Sequence, residues 1–85
     1  MAEHLIITGR VQGVGFRAFA KDAADALGLS GWVRNREDGS VEAVAEGDID
    51  AFVSRLKDGP PAGRVDEIER TDTAQTPETG FEIRG

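Results

Sequence analysis

Apolar positions along the chain fall into two periods. Leu5 to Gly9 is a short β-branched run closed by glycine and predicts a strand. From Phe16 the spacing becomes helical, with Phe16, Phe19, Ala20, Ala23, Ala24 and Leu27 on one stripe and Gly28 where a left-handed cap would end it. Gly31 to Arg36 and Val41 to Glu46 read as two strands around Asp38-Gly39, a pair that supplies the positive φ of a tight hairpin turn. Val41, Ala43 and Ala45 then share one face. A second helix follows Asp48, a fitting N-cap, with Ile49, Phe52, Val53 and Leu56 on one stripe and Gly59-Pro60-Pro61 as the stop. Val65 to Arg70 and Phe81 to Arg84 read as strands. The polar stretch Thr71 to Thr79 between them has no periodicity and reads as a loop.

This order predicts an α+β, ferredoxin-like βαββαβ sandwich: an antiparallel sheet with two helices on one face and a short extra C-terminal strand. The 85 residues have room for one core, so residues 1–85 are expected to form a single domain. That architecture hosts many unrelated functions, and the site must decide among them.

Composition removes several of them. The chain has no cysteine, which excludes thiol nucleophiles, disulfides and Cys-based zinc sites, and its one histidine is His4. No run approaches the ~20 apolar residues of a membrane span and the N-terminus has no basic leader, so a cytoplasmic protein with no membrane partner is expected. The formal net charge of −6 argues against a general nucleic-acid binder, and strands one and three lack the aromatics of an RNA-reading sheet. Divided along the chain, the charge changes its meaning. Residues 10 to 36 hold Arg10, Arg17, Lys21, Arg34 and Arg36 against Asp22 and Asp25, a net of +3, which leaves −9 for the rest. Both arginine-bearing flanks belong to elements expected to converge on the loop between the first strand and first helix.

That loop, Val11 to Gly15, contains no Ser, Thr, Asp or Asn to cap the helix. Its glycines leave the first N–H groups of the helix free to face a ligand, and the helix dipole biases them toward an anion such as phosphate. Arg17 adds a permanently charged fork of donors. The plainer alternative is a hydrated tight turn with Arg17 as a surface charge. Triphosphate chemistry is disfavoured because no Gly-Lys pair of a P-loop exists. Gly13 to Ala18 matches the loose dinucleotide fingerprint, but the next strand turns back through a hairpin and the chain is too short for a doubly wound parallel sheet. Asn35 sits near a strand end, where asparagine is depleted. Either it opens the following turn, or its amide holds a water beside a phosphate fixed by Arg17.

Two long motifs carry a resemblance. Gly9 to Arg17, G-R-V-Q-G-V-G-F-R, and Gly31 to Gly47, G-W-V-R-N-R-E-D-G-S-V-E-A-V-A-E-G, resemble the two signatures of the acylphosphatase family, in order, and the similarity runs through the chain, including L-G-L before Gly31, G-P-P at Gly59 to Pro61 and F-E-I-R near the end. Ala18, small where many members carry an aromatic, and the bare C-terminal glycine depart from the family without touching the signature positions. The resemblance implies hydrolysis of a carboxyl-phosphate bond to a carboxylate and inorganic phosphate. It also implies that Arg17 binds the phosphate, Asn35 orients the attacking water, and the backbone of Gln12, Gly13, Val14, Gly15 and Phe16 forms the cradle.

Such a reaction needs few groups. The leaving carboxylate has a conjugate acid of pKa ~4 and departs without a general acid, and phosphoryl transfer mainly needs positioning and charge stabilisation. No cofactor or metal is expected, because no His/Asp/Glu cluster shows ligand spacing. The expected partners are a small acyl phosphate and inorganic phosphate, and the expected state is a monomer. His4 lies five residues before Gly9 and reads as a solvated or strand-face histidine rather than a phosphoryl acceptor, Trp32 and Phe81 as packing residues, and Asp66, Glu67 and Glu69 as a solvated or edge-protecting face. The alternative of another class is a non-catalytic small-anion-binding or interaction module of the same fold, which would need no water-orienting amide. A piece of a larger acyltransfer or hydrogenase-maturation protein is a third reading, and the start and end of the predicted fold count against it.

Overall fold

The two periodicities resolve into seven elements in a computed structural model that describes residues 2–85. They are β1 (Ala2–Arg10), α1 (Phe16–Leu27), β2 (Ser30–Asn35), β3 (Val41–Glu46), α2 (Ile49–Asp58), β4 (Arg64–Thr73) and β5 (Phe81–Arg84). Both helices lie where the apolar stripes put them. Asp48 caps α2 by accepting a hydrogen bond from the Ala51 N–H at 3.1 Å, whereas α1 starts at Gly15 with no side-chain cap.

The strands form one sheet in the order β4-β1-β3-β2-β5. The four strands of the βαββαβ unit pair antiparallel, as expected. The added β5 lies parallel to β2, with Gly31 opposite Phe81 and Val33 opposite Ile83, so the sheet as a whole is mixed. Two strands outrun their apolar runs. β1 begins at Ala2 because Glu3 and His4 pair with Ala45 and Val44 of β3, and β4 runs on to Thr73 because Thr71, Asp72 and Thr73 pair with His4, Glu3 and Ala2. The first three residues of the expected polar loop are therefore strand: ladder bonds belong to the backbone and form under polar side chains too. The hairpin between β2 and β3 is also wider than a two-residue turn. Residues 36–40 make it, with the Arg36 N–H donating to the Ser40 carbonyl at 2.9 Å and the Asp38 carboxylate accepting from the Ser40 N–H and hydroxyl.

One face of the sheet carries both helices, and the core lies between. Leu5, Ile7, Val33, Val41, Ala43 and Ala45 meet Phe16, Ala20 and Ala24 of α1 and Phe52 and Leu56 of α2, all essentially excluded from solvent. Each large apolar side chain buried in this way stabilises the fold by about 1.5–3 kcal/mol. Phe81 closes the layer edge-on against Phe52, with ring centroids 5.7 Å apart. The acidic residues Asp66, Glu67 and Glu69 are exposed along β4, an outer strand, where charge blocks further strand pairing.

The opposite face of the sheet has no helix. Trp32 lies here rather than in the core, opposite Val44 in the register, with the guanidinium groups of Arg34 and Arg84 5.9 and 4.9 Å from its ring centroid. On the same face Glu42 lies between His4 and Arg34, 2.5 Å from each. Burial pushes the Glu42 carboxyl up, but hydrogen bonds with His4 and Arg34 outweigh it and hold the pKa below the ordinary glutamate value. A carboxylate whose pKa is depressed by folding adds stability above its unfolded pKa, ~4.3, and that stability is lost as pH falls through the folded value. Glu42→Gln is therefore expected to lower the unfolding free energy at neutral pH, with the gap to the unsubstituted protein closing as pH falls below ~4; urea unfolding across that range reads it.

Candidate active site

α1 cannot satisfy its own first N–H groups, and its sequence offers no side chain to do so. Gly15 takes the N-cap position at φ 78° and ψ 20°, and no acidic residue occupies the first turn. Gly13 has φ 74°, so both turns of the loop sit in the left-handed region that side chains disfavour. A Cβ at either glycine would meet nothing within 4 Å, so the requirement is conformational and the space above the loop is open. Among the described residues, the N–H groups of residues 12–16 donate no hydrogen bond. The positive end of the helix dipole points the same way.

Gly13, Gly15, Phe16, Arg17 and Asn35 line one cleft of about 240 Å³, and Val11, Ala18 and Ile83 complete its wall. That volume is below the ~300–1,000 Å³ usual for drug-sized ligands and suits a small molecule. Asn35 arrives by strand parity: it is two residues beyond Val33 on the helix-facing side of β2, at the strand end nearest the loop. Its Oδ1 is buried and accepts no hydrogen bond from the protein. A buried amide oxygen left in this way is uncommon and marks a place for a water or ligand donor. Arg17 is half-buried and anchored, its Nη1 donating to the backbone oxygen of Gly85 at 2.9 Å.

Of the basic residues between positions 10 and 36, only Arg17 lines the cleft. The expected convergence of positive charge is not present. Lys21 pairs with Asp25 and donates to the Phe81 carbonyl, Arg34 pairs with Glu42 across the sheet, and Arg36 borders a separate hollow with Glu37 and Asp38. Charge at the site comes from one guanidinium and a set of backbone dipoles. His4 is held by Glu42 on the open face of the sheet.

A sequence profile of the Acylphosphatase family matches residues 3–83. The chain belongs to that family. An acylphosphatase of Koribacter versatilis is 54% identical over 94% of this chain and 76% of its own length. The crystal structure of an acylphosphatase from Bacillus subtilis superposes with a TM-score of 0.88 at 42% identity, over 100% of both chains. The HypF of T. kodakarensis matches at 35% identity and a TM-score of 0.88, over 100% of this chain but 12% of its own.

Within this family frame, three features of the site were not read from the residues alone. The side chains of Gln12 and Val14 are engaged away from the cleft: Val14 packs on the core, and Gln12 donates through Nε2 to the carbonyls of Arg36 and Ser40, at 2.7 Å each. One amide thus ties the loop to the hairpin that begins just after Asn35. Nothing local signals a partner 24 residues away. The Gly85 oxygen on Arg17 is equally remote in sequence. Ile83 could have been found, because alternation along Phe81 to Arg84 puts it on the same face as Phe81. Gln12→Ala removes both donors from part-buried carbonyls and is expected to cost about 1–2 kcal/mol of stability, measured by urea unfolding.

Proposed function

We propose that this acylphosphatase-family chain hydrolyses acyl phosphates to a carboxylate and inorganic phosphate, with Arg17 and the backbone of Gln12, Gly13, Val14, Gly15 and Phe16 holding the phosphate and Asn35 orienting the water. The buried Oδ1 of Asn35, without a protein partner on the wall it shares with Arg17, carries this reading. A water bound there donates one hydrogen to the amide oxygen and turns its lone pair toward phosphorus. The loop N–H groups and the Arg17 guanidinium spread over the phosphate oxygens, where charge is distributed in the transition state. Fixed donors need no reorganisation at that moment, and the Gly85 contact keeps the guanidinium from swinging into solvent.

The water oxygen bonds to phosphorus as the bond from phosphorus to the acyl oxygen breaks, and the electron pair leaves with the carboxylate. The conjugate acid of that leaving group has a pKa of ~4, so no protein acid is needed. Water's proton passes to a phosphate oxygen. We propose a single domain of residues 1–85 acting as a cytoplasmic monomer on a small-molecule substrate. Among the described residues no helix is long and apolar enough to cross a membrane.

Release of phosphate from benzoyl or acetyl phosphate is expected to persist after chelator treatment, with inorganic phosphate inhibiting competitively. Absence of turnover by the folded protein would overturn the proposal. Arg17→Gln is expected to lower kcat/KM by ~10³-fold or more and to weaken inhibition by phosphate. Asn35→Ala should lower kcat by ~10²–10³-fold while phosphate still inhibits, because the water and not the anion has lost its partner. Equal loss of phosphate inhibition in both variants would contradict the division of roles.

A further inference from the structure

Ile83 is the one large apolar residue left exposed among the described residues, at 43% of its surface. A single exposed apolar side chain is ordinary on an open surface. This one lines the cleft that holds Arg17 and Asn35. Strand parity puts it there: Phe81 points into the core against Phe52, and Ile83, two residues on and opposite Val33, projects from the same face past the core. Ala18, exposed in the first turn of α1, adds a methyl to the same wall and leaves room that a larger residue would fill. Among the described residues, Arg17 is the only charged side chain on the wall.

A phosphate held by Arg17 and the loop leaves the remainder of the cleft to the acyl group. The exposed side chains beside it there, apart from Asn35, are the apolar Ala18 and Ile83. We propose that Ile83, with Ala18 beside it, is the acyl-contacting wall of the site and selects acyl phosphates with an apolar acyl group, aryl or branched alkyl, over small or charged ones. The inference rests on the placement of phosphate at Arg17 and the loop. Covering the Ile83 side chain with a ring removes apolar surface from water on both partners, a gain that an acetyl methyl cannot match.

The test measures kcat/KM for benzoyl and acetyl phosphate with the full chain carrying Ile, Thr or Leu at position 83. Comparing the benzoyl-to-acetyl ratio between proteins cancels the intrinsic reactivity of the two substrates. Ile83→Thr keeps the β-branched shape that suits a strand but removes apolar surface, and is expected to lower the ratio by about fivefold. Ile83→Leu restores the apolar wall and is expected to stay within about twofold of the unsubstituted ratio. An unchanged ratio in Ile83→Thr, with both substrates turned over, overturns the acyl wall and leaves the phosphate site standing. If the unsubstituted chain hydrolyses neither substrate, the phosphate assignment and this inference fall together.

Discussion

Two hydrogen bonds from one side-chain amide hold the halves of the site in register. The proposed phosphate cradle belongs to the β1–α1 loop and the proposed water-orienting amide to β2, segments that meet only because the sheet brings them side by side. Gln12 spans that junction, donating to the carbonyls of Arg36 and Ser40. Those carbonyls belong to the hairpin that Asp38 braces from inside by accepting from Ser40. A glycine-rich loop is otherwise free to drift. A displacement of about 1 Å at a reacting centre can cost ~10²-fold in rate, so fastening loop to hairpin is part of what any chemistry here requires.

The electrostatics of the site are local, and the overall charge of the protein says little about them. An acidic molecule can accommodate an anion where N–H groups and a helix end supply fixed partial charges that no formal count includes. Counting basic residues between positions 10 and 36 overstated the positive charge that reaches the cleft. Lys21 and Arg34 spend their charge on Asp25 and Glu42, and Arg17 alone reaches the cleft. Where a side chain points decides its electrostatic role, and direction follows from strand parity and helix phase.

Much of the fold was legible because burial imposes a period. The stripes on both helices, the absent cap of α1 and the Asp48 cap of α2 are local properties of neighbouring residues, and they reappear at the positions expected. Strand ends were less legible. Glu3, His4 and Thr71 to Thr73 pair through backbone groups that every residue carries, so no side-chain pattern announced them. Trp32, expected as a packing residue, lies on the bare face of the sheet between two arginines. Parity within β2 sends Trp32 one way and Val33 and Asn35 the other.

By itself the sequence determined the element order, the two helix faces, the uncapped glycine loop and the residue types a phosphate site needs, since each depends on spacings of a few residues. Only the tertiary structure decided that β5 runs parallel to β2, that Gln12 acts through its side chain and that Gly85 anchors Arg17. It also set Ile83, whose face strand alternation gives, beside Arg17 and Asn35 in one cleft. These are contacts between segments tens of residues apart, and no local spacing encodes which distant backbone carbonyl a side-chain donor will meet once the sheet has formed.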